Sequence, residues 1–141
     1  MSRLTPYEMV KEFREAFGKK NEYTLEKVEH QLTLIEEEAD ELWHEVNQID
    51  SSGFLFQKDI DKERLTKELC DLIYVCYDFA IALELPVNEA FSRVHQSNMS
   101  KLGEDGKPVY REDGKVLKGP NYQKPDLSDL FPVQLELFDD P

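Results

Sequence analysis

Two short acidic clusters carry the chemistry most worth pursuing in this sequence. Glu36-Glu37-Glu38-Ala39-Asp40-Glu41 contains an E-x-x-E pair, Glu38 and Glu41, and Glu68-Leu69-Cys70-Asp71 contains an E-x-x-D pair. Side chains three apart on an α-helix are neighbours, so each pair presents two carboxylates together if its segment is helical. Carboxylates gathered at a partly buried place repel one another when ionised, and both burial and like charge favour the protonated form. A hard divalent cation relieves that conflict. An all-oxygen ligand set suits Mg²⁺, with Mn²⁺ as a substitute, and Mg²⁺ characteristically keeps waters and takes substrate phosphates. Glu38, Glu41, Glu68 and Asp71 are therefore the candidate catalytic and metal-ligating residues. Glu37 points further out and reads as an outer ligand, a base, or a solvated side chain. The competing reading of both clusters is a solvated acidic face.

The elements that must position these groups are helices. The first is expected from Thr5 to Phe17, stopped by Gly18, and the second from a Thr24 cap to about Ile49. Ser51-Ser52-Gly53 breaks the chain, a third helix follows from about Asp59 to Leu85, and Pro86 opens a fourth that ends near Leu102. Helix 2 carries Leu25, Val28, Leu32, Ile35, Ala39, Leu42, Val46 and Ile49 at alternating steps of three and four, and helix 3 carries Leu65, Leu69, Leu72, Cys76, Phe79 and Leu83. Such stripes are packing seams. Two long seamed helices joined by a short loop make an antiparallel hairpin, and the fold class expected is all-α, an antiparallel bundle of about four helices completed by oligomerisation.

Three relations turn the acidic clusters into one constellation. At about 100° per residue, Glu38 lies about 60° and Glu41 about 120° behind Ile35, and Glu68 and Asp71 hold the same offsets from Leu65. The two-fold axis relating antiparallel partners keeps equal-offset edges on one side, so both pairs fall on one surface. Antiparallel partners also have residue numbers of constant total. Glu38 with Asp71 and Glu41 with Glu68 both total 109, which centres the hairpin in the expected loop near residues 51–57.

Helix 4 continues its stripe of Val87, Phe91 and Val94 with Asn98 and Lys101, a polar pair that either reaches a polar site or lies past the core. Residues 101–124 hold six basic groups, Lys101, Lys107, Arg111, Lys115, Lys118 and Lys124, against four acidic ones, the one net-positive segment. A glycine-rich basic loop there would close over phosphates, with an ordinary surface loop as the alternative. Pro-Val-Tyr-Arg and Lys-Val-Leu-Lys flanking Glu112-Asp113-Gly114 suggest a short hairpin. The expected division is a helical catalytic domain over 1–103, a basic substrate-covering segment over 104–127 and an acidic tail over 128–141.

Composition narrows the classes. The 141 residues fit one domain, with 40% hydrophobic residues to build a core. A net charge of −13, from 17 basic and 30 acidic residues, argues against direct nucleic-acid or anionic-membrane binding. No apolar run is long enough to span a membrane. Cys70 and Cys76 are six apart, point away from one another on a helix, and imply a reducing cytoplasm rather than a disulfide.

At the two acidic pairs the sequence resembles the all-α nucleoside triphosphate pyrophosphohydrolases, which include MazG, the dimeric dUTPases and phosphoribosyl-ATP pyrophosphohydrolase. Glu37 supplies the E-E-x-x-E form, and Leu69-Cys70-Asp71-Leu72-Ile73-Tyr74 resembles the run that follows the second pair. Ser97-Asn98-Met99-Ser100-Lys101 resembles substrate-contacting residues of that superfamily, and the stretch from Asp105-Gly106-Lys107 to Pro125-Asp126-Leu127 is similar to the tail of phosphoribosyl-ATP-pyrophosphohydrolase-like proteins. The resemblance covers residues 25–127. It implies Mg²⁺-dependent cleavage between the α and β phosphates of a nucleotide, yielding monophosphate and pyrophosphate, with Asn98, Lys101, Lys107, Arg111 and Lys118 as substrate-binding residues. It also implies a homodimer or homotetramer. A canonical or damaged dNTP is expected before phosphoribosyl-ATP, the substrate of an enzyme of histidine synthesis. Gln134-Leu135-Glu136-Leu137-Phe138 resembles the peptide by which bacterial proteins dock on the DNA polymerase sliding clamp; Gln134, Leu135, Leu137 and Phe138 would be its anchors. The remaining alternative is a non-catalytic acidic helical docking protein.

Overall fold

The computed structural model describes residues 2–47 and 61–132. The expected inter-helix loop, the end of the helix 2 stripe at Ile49 and the peptide Gln134–Phe138 all lie outside the described residues. The chain forms two compact units, Met1–Leu85 and Pro86–Pro141.

Among the described residues the first unit holds three helices: α1 (Pro6–Ala16), α2 (Leu25–Asn47) and α3 (Lys62–Ala82). Each begins where a side chain can satisfy a free backbone amide. Thr5 and Glu8 make a capping box, with the Thr5 amide donating to Glu8 Oε2 at 2.7 Å and the Glu8 amide to Thr5 Oγ1 at 3.3 Å. Thr24 Oγ1 accepts from the Lys27 amide at 3.3 Å, and Asp61 caps α3 by accepting from Arg64 at 3.1 Å. α1 and α3 stop in the same way. The Lys19 amide donates to Arg14 O at 2.9 Å around Gly18, and the Leu85 amide to Ala80 O at 2.8 Å around Glu84. Both central residues have positive φ, 62° and 55°, the Schellman arrangement. That turn ends α3 three residues before the Leu85 expected from sequence.

α2 and α3 pack against one another as an antiparallel hairpin, and α1 packs on α3. The buried apolar residues are Val10, Ala80, Ile81, Ala82 and Leu83. Tyr7 meets Tyr77 and Phe13 meets Tyr74 edge to face, with ring centroids 6.1 and 5.7 Å apart. The stripes of α2 and α3 are only partly covered. Val28, Ile35, Ala39, Leu42 and Val46 are half-buried, as are Leu65, Leu72 and Phe79, whereas Leu25, Leu32, Leu69 and Cys76 are exposed.

The second unit contains α4 (Val87–Met99), an antiparallel hairpin of β1 (Val109–Tyr110) and β2 (Val116–Leu117), and a 3₁₀ turn at Ser128–Leu130. Val109 pairs with Leu117 and Tyr110 with Val116, so the short hairpin expected from sequence is present. α4 ends at Met99, three residues before the expected Leu102. The Ser100 hydroxyl turns back to Ser97 O at 2.6 Å and accepts from the Gln123 amide at 2.9 Å. The buried Ser97 Oγ donates to Gln123 O at 2.7 Å. Gly119 donates to Lys101 O at 2.8 Å. Among the described residues no helix is long and apolar enough to cross a membrane.

Candidate functional site

The acidic pairs face one another across the α2–α3 hairpin. One carboxylate oxygen from each of Glu38, Glu41 and Glu68 lies within 4.8 Å of the other two. The antiparallel register is the expected one. Arg64 Nη2 bonds Glu45 Oε1 at 2.9 Å, and Gln31 Nε2 bonds Asp78 Oδ2 at 3.2 Å. Both of these contacts join residues whose numbers total 109, as Glu41 and Glu68 do. An open hollow of about 460 Å³, lined by Asp40, Glu41, His44, Glu45 and Glu68, adjoins the carboxylates.

Asp71 belongs to the same charged array but does not share the three-oxygen cluster. Lys67 Nζ reaches its carboxylate at 2.7 Å and Glu68 Oε1 at 3.3 Å. The pairing holds the Lys67 ammonium well above its usual pKa. Burial, then the nearby charges of Glu41 and Asp71, push the Glu38 carboxyl above its usual range. Glu38 Oε2 and Glu68 Oε2 are buried and accept no hydrogen bond among the described residues. Buried polar atoms are normally satisfied, and a buried carboxylate oxygen without a donor is strongly unfavourable when ionised. Two such oxygens, on helices that approach from opposite directions, fit a hard cation as the missing partner. Glu37 is exposed.

The residues expected to hold substrate are in the second unit. Lys101 Nζ donates to Asn98 Oδ1 at 3.0 Å, so these two are brought together at the end of α4. Lys107, Arg111 and Lys118 are exposed and stand apart in local contacts. Arg111 pairs with Asp113 across the β-turn, and Lys118 lies 4.7 Å from the centre of the Tyr122 ring. A further cation, Arg93, ties α4 to the 3₁₀ turn through Asp129 and through Asp126 O at 3.0 Å.

Lys67, His44 and a buried polar network were not singled out from the sequence. Lys67 has a readable signal, the i,i+4 spacing to Asp71. His44 stands one turn after Glu41. The network joins Arg14 Nη1 to Asp78 Oδ1 at 2.6 Å, with Gln31 on the other carboxylate oxygen. Its signal is the seven-residue step from Glu38 back to Gln31 and from Asp71 on to Asp78.

Three carboxylates from two packed helices thus come together beside an open hollow in an all-α fold. The phosphoribosyl-ATP pyrophosphohydrolase family matches residues 8–98, which take in both acidic pairs and nearly all of the four helices. The chain belongs to that family: it is a nucleotide pyrophosphohydrolase, a hydrolase acting on pyrophosphate bonds. Among 24 matching solved chains is a crystal structure of a candidate NTP pyrophosphohydrolase from Exiguobacterium sp. 255-15. It is 23% identical, with 88% of this chain and 90% of that chain covered at a TM-score of 0.43. No curated protein matches the chain.

Proposed function

We propose that this chain cleaves a nucleoside triphosphate between the α and β phosphates, with Mg²⁺, to give a nucleoside monophosphate and pyrophosphate. The observation that carries this reading is the pair of buried, unpartnered oxygens on Glu38 and Glu68, within a three-carboxylate cluster that also includes Glu41. These three residues would hold the cation, joined by Asp71 when Lys67 lets go of it. Bound there, Mg²⁺ supplies charge neutralisation for the polyphosphate and acidifies water.

The chain's own groups do the rest. A carboxylate left free of the cation would accept the proton of the attacking water. By the sequence resemblance, Asn98, Lys101, Lys107, Arg111 and Lys118 would bind substrate phosphates. The free thiols Cys70 and Cys76 suit a reducing cytoplasm. A deoxynucleoside triphosphate is the leading substrate class. A second reading, hydrolysis of phosphoribosyl-ATP, draws support from the description of the matched family. Pairing of two chains would cover the apolar side chains left exposed on α2 and α3.

The experiment is pyrophosphate release from a panel of dNTPs, NTPs and phosphoribosyl-ATP in Mg²⁺. The expected result is release with monophosphate as co-product, and a loss of turnover by a factor of at least about 100 in Glu38→Gln, on the scale of removing one key charged group. A Glu38→Gln enzyme with the wild-type rate removes the assignment.

A further inference from the structure

A second concave site lies where the end of α1, the segment after it and the first turns of α2 meet. Its volume is about 320 Å³, near the lower end of the roughly 300–1,000 Å³ typical of small-molecule sites. Four cations line it, Arg14, Lys19, Lys20 and Lys27, against one carboxylate, Glu22, and among the described residues only Arg14 of the four is neutralised, by Asp78 beneath it. That balance inverts the chain's 17 basic to 30 acidic residues. Like charges around a hollow repel unless an anion joins them.

The hollow is built rather than incidental. The Arg14 side chain is only 5% exposed and is anchored by Asp78. Its Nη2 donates to Lys20 O at 3.0 Å and to Asn21 Oδ1 at 3.3 Å. A buried guanidinium therefore pins the backbone that carries Lys19 and Lys20, and the Gly18 turn fixes where that backbone leaves α1. Among the described residues the Arg14 Nε–H has no acceptor. Gln31, 6% exposed, closes the floor by bonding the same Asp78. Lys19 lies 5.2 Å from the centre of the Phe13 ring, while Lys20 and Lys27 form no ion pair among the described residues.

We infer that this hollow binds a phosphate group, gripped by the Lys20 and Lys27 ammonium groups, with Lys19 adding positive charge beside them and the Asp78-paired Arg14 holding the backbone that carries Lys19 and Lys20. Gln31 lies seven residues before Glu38 on α2, and Asp78 seven after Asp71 on α3. At about 1.5 Å per residue the anion sits about 10 Å along the hairpin from the carboxylate cluster. It is therefore a site separate from the cation-binding one, and it does not depend on the reaction proposed above. The phosphate is either a free ion or the phosphate end of a nucleotide.

The test is calorimetric titration of the full chain with inorganic phosphate in EDTA, so that no cation bridges phosphate to the carboxylates. Saturable one-site binding is expected. Lys20→Ala with Lys27→Ala should weaken it about tenfold or more, the scale of losing two charge-assisted hydrogen bonds. Lys62→Ala with Lys115→Ala, which removes the same charge elsewhere, should leave it unchanged, as should Glu38→Gln. Circular dichroism checks that each variant is folded. Absence of saturable binding by the wild type, or equal weakening in both lysine pairs, overturns the proposal. Titration with AMP separates the sources: about tenfold tighter binding than phosphate identifies the nucleotide end, and equal affinity the free ion.

Discussion

Glu38 is where burial and like charge act on one carboxyl. Its raised pKa means that the folded state holds a proton more tightly than the unfolded chain does. The sign follows from linkage: the folded state is favoured below the ordinary carboxyl value of 4.5, and that advantage is lost as pH rises through the raised folded value. In metal-free buffer Glu38→Gln should therefore melt higher than wild type at neutral pH, and the gap should close on acidification. Thermal melts at a series of pH values check this; a variant that melts lower at neutral pH refutes the account. That Glu38, Glu41 and Glu68 come together was legible because type, spacing and helical phase agree, whereas Asp71 stands outside their cluster. The i,i+4 spacing of Lys67 and Asp71 makes their ion pair possible, but one lysine has several acceptors within reach, so spacing alone did not show that it would take Asp71 out of the cluster.

The α2–α3 hairpin carries the register, and here sequence went furthest. A constant total of 109 places Glu41 by Glu68, Glu45 by Arg64 and Gln31 by Asp78 without any knowledge of the loop. The Arg14–Asp78 pair between α1 and α3 was hidden, since it joins residues 64 apart in the chain. Both side chains are nearly fully buried, at 5% and 6% exposure. Removing one partner of such a pair strands the other, so Asp78→Ala should cost about 3–5 kcal/mol. Joint replacement by Arg14→Met and Asp78→Leu should cost clearly less, and urea unfolding of the three variants measures the difference. The end of α3 offers the opposite change. Glu84 sits at φ 55°, where a side chain is disfavoured by roughly 1–2 kcal/mol. Glu84→Gly should raise the urea midpoint by the equivalent of about 1 kcal/mol, as relief of that strain is partly offset by the freedom glycine gains when unfolded.

For the whole molecule the uneven feature is its apolar exposure. Leu69 and Ile73 on α3 are 45% and 44% exposed, Leu32 and Trp43 on α2 are 45% and 64% exposed, and each pair shares a face by helical spacing. The stripes were visible in the sequence, but what covers them was not, because a periodic pattern does not say whether the partner is the same chain or another copy. Self-association would cover them. Sedimentation should then show a species at least twice the chain mass, converted to monomer by Leu69→Lys with Ile73→Lys; a monomeric wild type removes the pairing. Tolerance to drift is not set by burial alone. At half-exposed Gly119 any added Cβ would lie 2.4 Å from Leu102 O and 2.7 Å from Lys101 O. A lineage therefore finds position 119 closed to every other amino acid although it lies near the surface, unless the main chain beside α4 is rebuilt at the same time.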